Sequence, residues 1–390
     1  MIIKKTFSIV LAVLFIVSPF SLLSYATSAT KLEDSEKKRL SFFDNKLCEN
    51  EQIIKLKELG LLNEFIDYLY ANYSKHKEEN NIDAVLMLNN WDLSLDTTTG
   101  TLKRKAQKYV EKNFNFSIDS TEFKEFMINY FRDEANGGYS YALNNKDFGA
   151  LYLYMCLAYE LEINSNYAVE LTSQCSLEKW SLEKLFNFDY EYNFKETQIP
   201  MLLYQYIENN AKSISSAWPD LNGTNIMNYA RTYALSYNPY YFYISNDDGG
   251  DCTNFASQAL YNGGLPMTYI TSDTTSNGYV NTQARWFCFP NSTSFGYGVS
   301  TSWVRVKELY NYLSPHYAVY EARTNTNVVA YLNDGFLLQG KRPLGSYSHS
   351  VIVYNYNGSM KYSAHSTNRL DENISTFLNY YYKCRLVQVY

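Results

Sequence analysis

Hydrophobic and polar positions repeat with different periods along the chain. Between Glu51 and Tyr73, Ile53, Ile54, Leu56, Leu59, Leu61, Leu62, Phe65, Ile66 and Leu69 recur at helical spacing, with Gly60 as a point of interruption. Ser120–Arg132 carries a second helical pattern, opened by Ser120-Thr121-Glu122. Over Asn187–Phe194 the period drops to two: Phe188, Tyr190, Tyr192 and Phe194 alternate with polar residues, which predicts a strand. The first half is therefore expected to mix α and β. Helical spacing returns over Asn225–Leu235, Asp251–Tyr261 and Trp303–Leu313. Strand patterns follow around Val328–Leu332, Phe336–Gln339, Ser350–Tyr356, Lys361–Ala364 and Tyr382–Tyr390. Helices first and antiparallel strands afterwards predict an α+β layout for the second half.

The 390 residues predict two domains, three at most. Residues 30–215 hold most of the charge and no cluster that carries chemistry, and read as an accessory domain. Ser213–Asn222, with Pro219 inside it and Gly223 after it, reads as a linker, placed at 216–224. Residues 225–390 are poorer in charge and richer in Gly, Ser, Thr and Tyr. A net charge of -6 argues against a basic nucleic-acid-binding surface. The 4 histidines, His76, His316, His349 and His365, are too few and too scattered for a histidine-rich metal site. No metal or cofactor is expected, and few residues are left to act as a general base. The 39 tyrosines offer flat amphipathic surface, though compositional bias explains them equally well.

Export is expected. Met1-Ile2-Ile3-Lys4-Lys5 precedes an uncharged run from Thr6 to Tyr25, and small residues follow at Ala26, Ser28 and Ala29. This is the pattern of a secretory signal peptide over 1–29, with an uncleaved anchor as the rival reading. After cleavage no membrane association is expected, and the protein is read as secreted or held at the cell envelope. The 6 cysteines, Cys48, Cys156, Cys175, Cys252, Cys288 and Cys384, are sparse for a stapled fold, and most are expected as thiols.

One segment points to chemistry. In Gly249-Gly250-Asp251-Cys252-Thr253-Asn254-Phe255 the glycines let the backbone turn sharply, and Asp251 can cap the following helix. Cys252 then sits at a helix N-terminus, where the dipole favours a thiolate and exposed amides can hold an oxyanion. A buried structural cysteine at a helix start is the plain alternative. His349, at the mouth of Ser350-Val351-Ile352-Val353, is the better candidate base. His365 ends the next strand and can orient the first imidazole in a Cys–His–polar triad.

These residues carry a family resemblance. Asn228-Tyr229-Ala230-Arg231-Thr232-Tyr233-Ala234, Tyr237-Asn238-Pro239-Tyr240 and Gly249 through Gln258 resemble the putative amidase domain of exported bacterial proteins. Gly263-Gly264-Leu265-Pro266-Met267, Trp303, His349-Ser350-Val351-Ile352-Val353 and Ala364-His365-Ser366 agree with it. The resemblance covers about residues 225–390, and the family is similar to the papain-like NlpC/P60 and CHAP cysteine hydrolases. It implies an α+β, papain-like domain with a cysteine-bearing helix packed on an antiparallel sheet, after a mixed α/β accessory domain. It also implies Cys252 as nucleophile, His349 as base and His365 as third member, with Asp251, Asn254 and Gln258 supporting the helix mouth. The substrate class implied is an amide, cell-wall peptide above all. A silent wall-binding or partner-binding module, and acyl transfer by the same thiol, are the competing functions. The scissile bond and the oligomeric state are not legible.

The triad reading fixes a hairpin register. A two-residue Asn357-Gly358 loop would place His365 opposite Ser350, facing away from His349. A three-residue loop pairing Asn355 with Ser359 would set His365 opposite His349. The second register is expected, with Asn368 and Asp371 next in line to orient His349.

Overall fold

A computed structural model of the chain describes residues 31–132, 146–173, 176–210, 218–245, 249–290, 296–323 and 327–390. The expected leader, the first two residues of the expected linker and Cys175 lie outside the described residues. The first half is built from α1 (Asp34–Ser41), α2 (Glu51–Glu58), α3 (Leu62–Asn90), α4 (Thr99–Asn113), α5 (Thr121–Arg132), α6 (Gly149–Ile163), α7 (Ser165–Thr172), α8 (Leu182–Asn193) and α9 (Ile199–Asn210). Local chemistry sets several ends. Asn50 accepts from the Gln52 and Ile53 amides to start α2, and Gly60, at φ +72°, separates it from α3. Ser181 caps α8 through the Lys184 amide.

The strand expected over Asn187–Phe194 is instead helix α8 and the turn that continues it. The cause is burial on two faces. Phe188 and Tyr192 pack against Tyr167, and Phe188 also meets Trp180. Tyr190 and Phe194 turn to a second core with Tyr73, and Phe194 also meets Phe43. Two helical stripes superposed on one segment imitate a period of two. Among the described residues the first half has no strand beyond an isolated bridge between Thr98 and Ser181, so the mixed α/β expectation is corrected to helical.

The second half is α+β. It contains α10 (Gly223–Tyr233), α11 (Cys252–Asn262), β1 (Gly278–Val280), β2 (Cys288–Pro290), β3 (Tyr297–Ser300), α12 (Thr301–Val304) and α13 (Val306–Leu313). Then follow β4 (Ala318–Arg323), β5 (Phe336–Lys341), β6 (Tyr347–Tyr356), β7 (Ser359–Ala364), β8 (Arg369–Asn373), α14 (Ile374–Tyr380) and β9 (Lys383–Gln388). Six strands form an antiparallel sheet in the order β4-β9-β5-β6-β7-β8, and β1-β3-β2 form a small one. The strand expected at Val328–Leu332 is a 3-10 turn, and the Trp303–Leu313 helix is broken at Arg305.

The β6–β7 register is the one not expected. Tyr356 pairs with Ser359 and Ile352 with Ser363, leaving the two-residue loop Asn357-Gly358 with φ of +53° and +76°. Positive φ at both central residues matches the twist of the flanking strands, and Asn-Gly adopts it most readily. Local turn chemistry decides the pairing.

The two halves share one apolar core that runs from α3 to β9. Its polar tie is Asp189 on α8. That carboxylate pairs with Lys341 Nζ at 2.9 Å and accepts from the Gly345 amide at 2.6 Å and the Tyr167 hydroxyl at 3.3 Å. Replacing Asp189 with Ala leaves the Lys341 ammonium buried without its counter-charge, so Asp189→Ala is expected to lower unfolding free energy by about 3–5 kcal/mol. Urea unfolding followed by circular dichroism measures it; a loss under about 1 kcal/mol would deny the tie its role.

Candidate active site

Cys252 is the first residue of α11, and the chain enters through Gly249 and Gly250 at φ +106° and +85°. Side chains other than glycine rarely adopt that backbone, so the sharp entry is written into the pair. Cys252, Thr253, Gly249, Gly250, His349, Ser366 and Arg369 line one cleft of about 670 Å³. The Cys252 amide donates to Ser366 Oγ at 3.2 Å, and its sulfur lies 3.7 Å from Thr253 Oγ1. Thr253 continues to Ser350 Oγ at 3.2 Å, which accepts from Gln339 Nε2 at 3.0 Å. Ser366 holds φ +80°, a conformation costly for a serine, at the point where it meets that amide.

Asp251 does not cap α11 through its side chain. Its carboxylate turns inward, accepting from the Ile244 amide at 3.0 Å and Asn254 Nδ2 at 2.8 Å, and it meets His365 Nδ1 at 2.6 Å. A buried carboxylate gains more from three convergent donors than from a helix amide at the surface. Asn254 also accepts from Trp303 Nε1 at 2.9 Å and donates to the Phe242 carbonyl, so it supports the helix mouth from beneath. Gln258 lies away from the mouth: it accepts from the Tyr229 hydroxyl at 2.7 Å and ties α11 to α10.

His365 is not beside His349. Its Nε2 reaches the Tyr233 carbonyl at 2.7 Å, and its ring stacks on Phe255 at 4.1 Å. Both ring nitrogens are engaged beneath the helix mouth, on the far side of the hairpin. The two-residue loop is the physical reason, because strand alternation then turns His365 away from His349. His365 orients Asp251 and, through it, the cysteine turn. The alternatives fare no better as partners of His349. Asp371 is gripped by Arg231 at 2.9 and 3.1 Å and by the Tyr354 hydroxyl, and Asn368 lies in the turn before β8.

His349 reaches the cleft from the other face of the sheet. Ser350 faces α11 through Thr253, so its neighbour His349 points toward α14, where its ring lies near Phe377 and parallel to Tyr381. Gly340, paired with His349 on β5, leaves the space that Tyr381 fills: a Cβ there would come within 2.3 Å of the ring. Burial, helped by the nearby Arg342 and Arg369 guanidinium groups, pushes the imidazole from 6.5 down to about 3. The ring is therefore neutral near pH 7 and, beside these two guanidinium groups, hard to protonate.

Sequence reading missed the helical wall of the cleft and its cations. Phe131, Tyr159, Glu160, Ile163 and Asn164 line it from the first half. Arg342 stacks over Phe131 and Tyr159 at 4.3 and 4.9 Å. Burial pushes Glu160 up to about 7. Arg369 was detectable as an isolated cation four residues after His365, and Arg342 as one of the adjacent pair Lys341-Arg342 ahead of His349. The described cysteines are thiols. Burial raises those of Cys156, Cys288 and Cys384, which makes them poor nucleophiles. Among the described residues no group of three or more His, Cys, Asp or Glu is placed to hold a metal ion, and no helix is long and apolar enough to cross a membrane.

Residues 220–389 match the family described as a putative amidase domain. This part of the chain is thus amidase-like, which points to hydrolysis of amide bonds. No curated protein and no solved structure matches the chain.

The low His349 value has a stability consequence. The unfolded ring protonates near its ordinary 6.5 and the folded ring only near 3, so between these values the unfolded chain binds more protons. Stability contributed by His349 is complete above about 6.5 and is lost as pH falls toward 3. His316, pushed down to about 4 by burial, adds in the same direction. The urea midpoint of the wild type is expected to fall more steeply from pH 6.5 to 4 than that of His349→Gln; parallel slopes would show that His349 charges freely in the fold.

Proposed function

We propose that the protein is a cysteine-dependent amide hydrolase that works in this cleft. The observation that carries the reading is Cys252 at the first turn of α11, opening into the same cavity as the neutral imidazole of His349. His349 takes the thiol proton, and the thiolate attacks the substrate carbonyl carbon. The C=O electron pair moves onto oxygen, which the Cys252 amide receives in place of the Ser366 hydroxyl. As the tetrahedral species collapses, the C–N bond breaks and the imidazolium gives its proton to the leaving amine. Water then gives a proton to His349 and attacks the thioester carbonyl; the C–S bond breaks, the carboxylic acid leaves, and the imidazolium returns its proton to the Cys252 sulfur. Asp251, Asn254 and His365 hold the cysteine turn, and no step calls for a metal.

The helix bearing Cys252 packs on β6 and β7, which supports a papain-like arrangement. The basic start and apolar run support export, and export favours cell-wall peptide as the substrate. Purified wall material, digested and analysed by mass spectrometry, is the test. Cys252→Ala is expected to lower release of new amino and carboxyl ends at least about a thousandfold. The fold should survive, with a stability loss of about 1 kcal/mol for one buried sulfur. Cys288→Ala and Cys384→Ala should keep the chemical step. Release by Cys252→Ala at the wild-type rate would end the proposal.

A further inference from the structure

The cations lining the cleft differ in one respect. Arg305 faces Glu308 at 3.8 Å, Lys307 binds Glu196 at 2.6 Å, and Arg342 donates to the Phe131 carbonyl and covers two aromatic rings. Arg342 leaves one buried nitrogen, Nε, without a hydrogen-bond partner, whereas Arg369 leaves two, Nε and Nη2. Nε–H and Nη2–H point the same way along one edge of the guanidinium and together match the two oxygens of a carboxylate. Arg231 shows the pairing in this same protein: its Nε and Nη2 hold Asp371 at 2.9 and 3.1 Å. Burying such an edge unpaired is unfavourable, and because Arg369 lines the cleft, a turn of its side chain would present the edge to an incoming group.

Arg369 is also fixed to the nucleophile's turn. It opens β8, three residues after Ser366, whose hydroxyl accepts from the Cys252 amide. Ala364 pairs with Arg369 across this turn, so the guanidinium and the Cys252 contact ride on one short rigid connection. Two carboxylates also line the cleft, and neither is paired with Arg369. Glu308 faces Arg305, and Glu160 lies beside Arg342, buried and raised to about 7.

We propose that Arg369 is the receptor for a substrate carboxylate, and that the enzyme selects amides bearing a free carboxylate close to the scissile bond. The assignment rests on the hydrolase reading above. An anion on Arg369 would do more than select. Arg369 is one of the two cations that oppose protonation of His349, so neutralising it eases the proton transfer from Cys252. Substrates lacking the carboxylate would leave the imidazole harder to charge.

Alkylation of Cys252 tests this without a known substrate. Iodoacetate and iodoacetamide react alike, the thiolate sulfur forming an S–C bond as iodide leaves, and differ in the carboxylate. Rates at Cys252 and at the half-buried Cys48 are read by mass spectrometry of peptides from the intact chain. The iodoacetate-to-iodoacetamide ratio at Cys252 is expected to exceed that at Cys48, and to fall about tenfold in Arg369→Gln, the worth of one charge-assisted pair. Should that variant misfold by circular dichroism, Arg369→Lys takes its place, with a fall of about threefold expected because the charge stays and the paired donors go. A ratio at Cys252 that the substitution does not move overturns the carboxylate receptor and leaves the hydrolase reading standing. Failure of both reagents to label Cys252 in the wild type overturns the nucleophile, and the receptor with it.

Discussion

Asp251 carries a carboxylate that is 1% exposed, one residue before the cysteine, and the surrounding structure is arranged to satisfy it. Removing such a charge from water costs several kcal/mol unless donors converge on it. Three do, from the Ile244 amide, Asn254 and His365. Each belongs to a different element, and His365 in turn bonds to the last residue of α10. The carboxylate therefore fixes the end of α10, the start of α11 and the end of β7 relative to one another. Cys252 is the next residue along and inherits that precision. The two glycines before Asp251 supply the backbone path that lets the carboxylate turn inward while the cysteine turns toward the cleft.

The cysteine turn was legible in the sequence because its chemistry is local. Gly249 and Gly250 announce a backbone that other residues avoid, and Cys252 at a helix start follows from the next few letters. The α+β layout was legible from the change of period after Leu313. What the sequence hid depends on partners far away. Helix α8 read as a strand because two cores claim its two faces, and a single-segment pattern cannot separate superposed stripes. The register of β6 and β7 was misjudged for another reason. A catalytic argument was set against the Asn357-Gly358 turn, and the backbone twist that favours this dipeptide prevailed. Moving His365 to the other face turned a supposed member of the triad into the anchor of Asp251. Asn254 and Gln258 show the same limit. Neighbours in one motif, they serve opposite ends of the helix because their partners, Trp303 and Tyr229, lie on separate elements.

The helical half does more than accompany the amidase-like segment. The connection from β5 to β6 leads directly to His349, and the first half grips it at several points. Asp189 takes the Lys341 ammonium and the Gly345 amide, Asn193 donates to the Gly345 carbonyl, and Glu160 lies against Gly345, where a Cβ would come within 2.1 Å of its carboxyl. Arg342, from the same connection, is sandwiched against Phe131 and Tyr159. Every one of these partners comes from the first half. Helices more than 150 residues earlier in the chain thus help to hold the connection that leads into β6 and His349.

This dependence bears on what the cleft can admit. Its floor, with Cys252, Thr253 and Ser366, comes from the amidase-like segment, and one wall, with Phe131, Tyr159 and Ile163, comes from the helices. That wall sets Glu160 and Asn164 among aromatic and aliphatic side chains, while Arg342 and Arg369 bring positive charge to the histidine side. On the proposed reading, a substrate that fills the space would meet aromatic and polar surface at the helices and positive charge beside β8. If the proposed hydrolase reading holds, the residues that meet its substrate come from both halves, while the proposed nucleophile comes from the amidase-like segment alone.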